Sequence, residues 1–193
     1  MAVIQSEVAV GSEVFEQNKA KLLEQLAEIR AIQQSALDRS YKAKPKFDKK
    51  GKILPHERVR LLLDADSPFV ELCGLVGYKM HDDKDGSEAG GGIIAGIGFV
   101  NGTRCMVAAN NSAIKGGTIA PMGVHKSLRL HQIALEQKLP IITLAESGGA
   151  NLNYAAEVFT AGGTTFANQA RLSAKGIPQI SVVHGNATAG GAY

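Results

Sequence analysis

The sequence predicts an α/β domain, in which a parallel sheet is covered by helices, preceded by an N-terminal helical arm. From residue 69 onward, short apolar segments alternate with helical segments at about 121–138 and 154–175, a rhythm that favours parallel strands joined by helices. Residues 13–39 repeat apolar side chains at near-heptad spacing between Lys, Glu and Gln, which is typical of one long amphipathic helix. We therefore expect an arm that packs on the main body or on another subunit.

The composition is that of a globular protein. The chain has 193 residues, of which 45% are hydrophobic and 20% charged, and its apolar runs are short. Disordered and membrane-spanning classes are therefore not expected. Neither a secretory signal nor an Arg-rich transit peptide is visible at the N-terminus. We expect a cytoplasmic protein, or one of the mitochondrial matrix if the source is eukaryotic.

The excess positive charge is local. Residues 41–52, YKAKPKFDKKGK, contain six lysines against one aspartate, within a chain of net charge +3. We expect a solvated linker here, with an anionic partner surface as the alternative. Few aromatic residues are interleaved with the lysines, so nucleic acid is not an expected partner. Residues 1–50 are thus predicted to form the helical arm with its Lys-rich linker, and residues 51–193 the main domain.

Further elements are predicted from local signals. Pro55 is expected to open a short helix that ends near Leu63, and Asn101-Gly102 is a favoured two-residue hairpin turn. Cys73 and Cys105 lie in strand-like apolar surroundings and are predicted to be reduced core thiols. The expected strands lie within FVELCGLVGY (69–78), GGIIAGIGFV (91–100), TRCMVAA (103–109), PIITLAE (140–146) and PQISVVHG (178–185).

Three glycine turns come directly after predicted strands. The first glycine turn is SAIKGGT (112–118), the second is SGGANL (147–152) and the third is NATAGGAY (186–193). Because the carboxyl ends of parallel strands meet at one edge of a sheet, these turns are predicted to line one crevice.

The residues predicted to line this crevice do not match a known arrangement of catalytic or metal-binding side chains. Ser147 stands between Glu146 and Gly148, so the GxSxG elbow of a serine hydrolase is absent, although His184 is available as a base. His125 and His131 are six residues apart and do not share a helical face, so we expect no metal site. Backbone groups remain: N–H donors at such turns converge on one oxygen in an oxyanion hole. The alternative is that the glycines only permit close packing.

Four motifs, taken in their order along the chain, resemble those of a known protein family. In order, GGGIIAGIGFVNG, NNSAIKGG, ESGGANL and NQARLSAKGIPQISVVHGNATAGGAY resemble the N-terminal half of the carboxyltransferase β subunit of biotin-dependent acyl-CoA carboxylases, in the methylcrotonyl-CoA and geranyl-CoA branch. The resemblance implies a crotonase-like (ClpP/crotonase) β-β-α spiral. It also implies that residues 51–193 form the acyl-CoA-binding domain, incomplete at its C-terminus.

The same resemblance implies an activity and its site. CO2 would pass from carboxybiotin, carried by a biotin carboxylase/biotin carboxyl carrier α subunit, to an acyl-CoA enolate. Gly190 and Gly191 would hold the thioester oxygen, with Ala150 on the opposite wall. Other copies of the chain, in a hexamer or a dimer-based oligomer, are the other implied partners, and the chain alone is expected to lack turnover. The residues expected near the coenzyme A moiety are Lys115, Gly116, Gly117, Gly148 and Gly149, and Lys115 is expected to meet a phosphate there.

Three alternatives stay open at this point. A crotonase-type hydratase or isomerase would use the same oxyanion hole with Glu157 as the acid or base. A nucleotide-binding module fits the β-α-β rhythm, but Gly96 and Gly98 lie inside a strand pattern rather than in a GxGxxG turn. A non-catalytic assembly arm at 13–39 is the third.

Overall fold

A computed structural model describes residues 5–192. The helices are α1 (Glu13–Tyr41), α2 (Lys44–Asp48), α3 (Pro55–Leu62), α4 (Pro121–Gln137) and α5 (Ala155–Ala174). The strands are β1 (Val70–Glu71), β2 (Ile93–Val100), β3 (Thr103–Asn110), β4 (Thr118–Ile119), β5 (Ile141–Ser147), β6 (Gly149–Ala150) and β7 (Gln179–Ala187). Single turns of 3₁₀ helix cover Lys115–Gly117, Leu152–Tyr154 and Ala189–Ala192.

The central sheet is mixed. Its five strands lie in the order β1-β2-β3-β5-β7. The β1–β2 and β2–β3 pairs are antiparallel, whereas β3–β5 and β5–β7 are parallel. The predicted hairpin turn is confirmed, since Asn101 and Gly102 both have positive φ, of 50° and 73°, as a type I′ turn requires. The α/β prediction is also confirmed: the hairpin makes β2 and β3 antiparallel, as expected of that turn, and the strands β3, β5 and β7 are parallel.

Helices cover both faces of the sheet. Met106 and Ile141 point to one face and pack with Leu130 of α4 and Leu172 of α5. The next residues along the same strands, Val107 and Ile142, point to the other face, where Val59 of α3 lies. This alternation is the two-residue period of a strand. It buries β3 and β5 on both sides and fixes where their carboxyl ends lie.

The predicted arm helix is confirmed as α1, which begins after Ser12. The Ser12 side chain accepts a hydrogen bond from the Phe15 N–H at 3.2 Å and caps the helix, as serine commonly does. Residues 41–52 are not a plain linker, because α2 forms within them. Pro45 suits the first turn of a helix, and Phe47 is buried.

The predicted strand at 69–78 is wrong beyond its first residues. Val70 and Glu71 pair with β2, the Leu72 N–H donates once more to Ala95 of β2, and the segment 73–78 forms turns. Cys73 has a φ of 54°, which is incompatible with an extended strand. Cys73 is consequently exposed rather than in the core, whereas Cys105 is buried and both thiols are free. Among residues 5–192, no helix has the length and apolar character needed to cross a membrane.

Candidate functional site

The three glycine turns come together at the carboxyl ends of β3, β5 and β7. A Cβ atom added to Gly117 of the first turn would lie 2.3 Å from the carbonyl oxygen of Glu146, and one added to Gly148 would lie 3.2 Å from that of Gly116. The two-residue strands β4 and β6 pair in parallel across the same junction. The first and second turns therefore pack backbone against backbone, which only glycine permits at Gly117.

The third turn packs on the second in the same way. A Cβ atom on Gly191 would lie 2.7 Å from the Cβ atom of Ser147, and one on Gly149 would lie 3.3 Å from the side chain of Thr188. The N–H of Thr188 donates to the carbonyl oxygen of Ser147 at 3.2 Å. The predicted crevice is thus a closely packed junction of three turns.

Ser147 is the buried centre of this junction. Its hydroxyl donates to the carbonyl oxygen of Gly117 at 3.2 Å and accepts from the N–H of Gly149 at 3.0 Å. The residue is 1% exposed, so its hydroxyl is committed to holding turns together rather than placed to attack a substrate. A serine between a strand and two glycines, where a short hydroxyl has backbone partners, favours a serine that caps a turn over a catalytic one, and these hydrogen bonds confirm that interpretation.

Glu146 forms a second polar centre beneath the turns. Its carboxylate pairs with Lys52 and accepts a hydrogen bond from the Ser112 hydroxyl at 2.7 Å. Burial opposes the charge, but the hydrogen bonds from Lys52 and Ser112 outweigh it and lower the pKa of the carboxyl. An ionised carboxylate with its lone pairs occupied in this way is a poor general base.

His184 lies near the same carboxylate, with its Nδ1 atom 4.0 Å from Glu146 Oε2. Burial lowers the pKa of the imidazole, and the positive charge of Arg58 lowers it further, against the raising effect of Glu146. His184 is therefore a neutral imidazole at neutral pH, turned toward Glu146.

The backbone N–H groups predicted to form the oxyanion hole lie in different elements, and one of them already has a hydrogen-bond acceptor. Ala150 is the last residue of β6, and Gly190 and Gly191 lie in the 3₁₀ turn after β7. The Gly191 N–H donates to the carbonyl oxygen of Thr188 at 3.0 Å. The prediction that Gly191 offers its N–H to a substrate is therefore corrected, because a 3₁₀ turn uses that donor internally. Gly190, which is exposed, is the stronger candidate in this turn.

A cleft lies beside the first glycine turn, where Lys115 was predicted to meet a phosphate. Lys115 Nζ instead lies 2.5 Å from Glu88 and 3.7 Å from Asp82. Tyr154 donates its hydroxyl proton to Asp82 at 2.8 Å, and this bond lowers the pKa of the Asp82 carboxyl and raises that of the phenol. The apolar wall of the cleft is formed by Val76, Met80, Ile114 and Met122.

The residues that a hydratase or a nucleotide-binding module would need make other contacts in the structure. Glu157 lies on α5 and its carboxylate is 3.2 Å from His81 Nε2 at an exposed position, rather than within the junction of glycine turns. Gly96 and Gly98 lie inside β2, where added Cβ atoms would come 2.4 Å from the carbonyl oxygen of Val70 and 2.5 Å from Leu63. These two glycines serve close packing, so the nucleotide-binding alternative is not favoured.

Comparisons with known proteins identify the family of the chain. The sequence pattern of the carboxyl transferase domain matches residues 46–193. A probable mitochondrial methylcrotonoyl-CoA carboxylase beta chain of Drosophila melanogaster is 43% identical over 99% of this chain and 33% of its own length. The beta subunit of P. aeruginosa geranyl-CoA carboxylase has a similar structure, with a TM-score of 0.88 and 57% identity over 98% of this chain and 36% of its own.

A more distant solved structure is the transcarboxylase 12S hexamer with hydrolysed methylmalonyl-coenzyme A bound. It gives a TM-score of 0.71 and 25% identity over 88% of this chain and 32% of its own. The chain thus spans about a third of the length of the relatives it matches. These neighbours confirm the crotonase-like α/β fold, and the chain belongs to the carboxyl transferase domain family.

Proposed function

We propose that this chain is the acyl-CoA-binding part of the carboxyltransferase subunit of a biotin-dependent acyl-CoA carboxylase. The observation that carries the proposal is the convergence of three glycine turns on buried Ser147, in a chain of the carboxyl transferase domain family. The relatives named above are carboxylase beta chains, and this chain matches about a third of each.

The chemistry needs donors for a developing negative charge. Loss of a proton from an acyl thioester places that charge on the thioester oxygen, and preorganised backbone N–H groups stabilise it in a site with little water. Gly190 and Ala150 supply these donors in our proposal. Gly191 instead closes the turn through Thr188 and packs on Ser147, so it fixes where Gly190 lies. Carboxybiotin, delivered by a partner, would supply the CO2, and the biotin left after its carboxyl group departs would accept the proton.

The coenzyme A moiety is proposed to lie along the cleft beside the first glycine turn. Gly116, where an added Cβ atom would meet nothing within 4 Å, leaves room for a ligand to approach the backbone. Gly117, Gly148 and Gly149 pack turn against turn and are proposed to fix the shape of this wall of the site. Lys115 is the cation available for a phosphate. Because Glu88 and Asp82 now hold its ammonium group, a phosphate must replace them as its partner.

The relatives also suggest the substrate, the partners and the compartment. The 57% identity to a geranyl-CoA carboxylase subunit supports our proposal that branched acyl-CoA esters, geranyl-CoA first and methylcrotonyl-CoA second, are carboxylated in preference to propionyl-CoA. A biotin-carrying α subunit and further copies of the chain are the proposed partners, with a hexamer as in the transcarboxylase neighbour. The proposed compartment is the cytoplasm, or the mitochondrial matrix in a eukaryote; the Drosophila relative is described as mitochondrial.

The test is a labelling assay. The β subunit containing this chain, assembled with its biotin-carrying partner and supplied with ATP and labelled bicarbonate, is expected to carboxylate geranyl-CoA or methylcrotonyl-CoA. The rate should exceed that with propionyl-CoA by about tenfold or more, since pocket fit discriminates at this scale. Failure to incorporate label, together with hydration of an enoyl-CoA by the same preparation, would instead establish the hydratase alternative.

A further inference from the structure

The pairing of β5 with β7 slips at Glu146. Ala145 lies opposite Val183, but Ser147 lies opposite Ala187. The strand β7 therefore uses residues 184–186 where β5 uses Glu146 alone. Bulges of this kind bend a strand and redirect the residues after it, and here the bulge precedes the third glycine turn.

The Glu146 carboxylate lies under this bulge. A Cβ atom added to Gly185 would come 2.5 Å from Glu146 Oε1 and 2.7 Å from its Cγ atom, so Gly185 lies directly against the side chain. The other contacts of the carboxylate come from Ser112, the first residue of the first glycine turn, from Lys52, ahead of α3, and from His184, whose Nδ1 atom lies 4.0 Å away within the bulge. The Glu146 side chain thus contacts Gly185, just before the third glycine turn, and Ser112, at the start of the first. Glu146 itself immediately precedes the second glycine turn.

We propose that Glu146 is the positioning residue of the site, holding the bulge of β7 so that the second and third glycine turns keep a fixed separation. It acts through Gly185 and Ser112 and touches no reacting atom. The separation of Ala150 from Gly190 depends on this bulge, because Gly190 lies only a few residues after it. The catalytic part of the inference rests on the function proposed above, whereas its structural part does not.

The first test is amide hydrogen exchange without any ligand. In Glu146→Gln the volume is kept and the charge is lost, so exchange in residues 112–118, 147–152 and 184–192 is expected to rise together by about tenfold, as local opening becomes easier. Exchange in the β2–β3 hairpin should stay within about twofold of the wild type. The matched control is Asp48→Asn, which removes the exposed pair of Asp48 with Lys44 and is expected to leave all three turns unchanged. No rise in the turns, or an equal rise throughout the sheet, would overturn the proposal.

If the Glu146→Gln variant does not fold, the Lys52→Met variant provides the same hydrogen-exchange test. The Lys52 side chain is 35% exposed, so its replacement by another long side chain is tolerated. The same three segments are expected to exchange about threefold faster, and unchanged exchange would overturn the proposal. In the assembled enzyme, Glu146→Gln should lower kcat by about tenfold with KM for acyl-CoA within about twofold, because misplaced donors affect the transition state most. An effect on KM alone would overturn the catalytic part. An inactive wild type with the expected exchange pattern would refute only the proposed function.

Discussion

The junction of glycine turns and the cleft beside it share the first glycine turn but differ in how their polar groups are held. In the junction, Ser147 is 1% exposed and bonded to backbone on both sides. In the cleft, the side chains of Lys115 and Asp82 are 42% and 40% exposed. Exposed ion pairs exchange partners at little cost, whereas buried groups do not. The junction is therefore suited to hold a fixed geometry, and the cleft to receive a charged ligand.

The largest expected effect is the loss of stability on replacing Gly117 by alanine, which should far exceed the loss at the adjacent Gly116. Gly116 and Gly117 both have positive φ, of 65° and 74°, but an added Cβ atom meets nothing within 4 Å at Gly116 and lies 2.3 Å from the Glu146 carbonyl oxygen at Gly117. Gly116→Ala should cost about 1 kcal/mol of unfolding free energy from backbone strain, and Gly117→Ala about 3 to 4 kcal/mol because overpacking adds to it. Urea unfolding measures both; equal costs would show that the junction is not tightly packed.

The next effect concerns Lys126, buried under the cleft on α4. Its ammonium group donates to the carbonyl oxygens of Gly90 at 3.2 Å and Ile93 at 2.6 Å, and burial lowers its pKa to about 8 from 10.5. Below pH 8 both native and unfolded states carry the charge, and the burial cost is complete. Between pH 8 and 10.5 the native state loses its proton first, so stability rises with pH.

The measurement compares wild type with Lys126→Met across this range. The stability of the wild type relative to the variant should increase by about 2.5 kcal/mol from pH 7 to pH 10. Lys50→Met, at an exposed position, serves as the control and should run parallel to the wild type. Parallel curves for Lys126→Met as well would contradict a buried, charged lysine beneath the cleft.

A smaller effect is expected at Ser147. Ser147→Ala keeps the Cβ atom against Gly191 but leaves the Gly149 N–H without its hydroxyl partner, which should cost about 2 kcal/mol in urea unfolding. Ser181→Ala removes an exposed hydroxyl that donates to Ala192 at 2.9 Å and should cost less than about 0.5 kcal/mol. Loss of all activity at unchanged stability would instead indicate a nucleophilic serine.

The smallest stability effect is expected in the cleft. Lys115→Met breaks exposed contacts with Glu88 and Asp82, so unfolding free energy should change by less than about 0.5 kcal/mol. Affinity for coenzyme A should fall by about tenfold, since a charge-assisted bond to phosphate is lost. Calorimetry with coenzyme A measures this, and unchanged affinity would remove Lys115 from the proposed site.

Local patterns in the sequence predicted most elements but not how the turns meet. The helices α1, α4 and α5 and the hairpin at Asn101-Gly102 are encoded by periodicity and turn chemistry, which act over a few residues. The strand expected at 69–78 failed because the chain turns at Cys73 and Gly77, which both have positive φ, and apolar content alone does not reveal a turn. The parallel strand ends correctly predicted that the three turns share one edge of the sheet.

The parts of the site that could not be predicted are tertiary contacts. The pairing of Lys52 with Glu146 joins residues 94 positions apart, and no local pattern predicts such a partner. The same holds for Lys115, where Glu88 occupies the ammonium group expected to be available for a phosphate. The internal hydrogen bond of Gly191 depends on the backbone conformation of the turn after β7. Because glycine adopts many backbone conformations, the sequence does not predict which one this turn takes.

The central claim is that backbone N–H groups at the junction hold the oxygen of an acyl-CoA thioester. Calorimetry with an acyl-CoA thioester and with the thioether analogue of the same chain, which lacks that carbonyl oxygen, tests it most directly. We predict that the thioether binds about tenfold more weakly, the value of about one net hydrogen-bonded oxygen. Equal affinity for the two compounds would contradict the account, because the oxygen would then have no donors in the site.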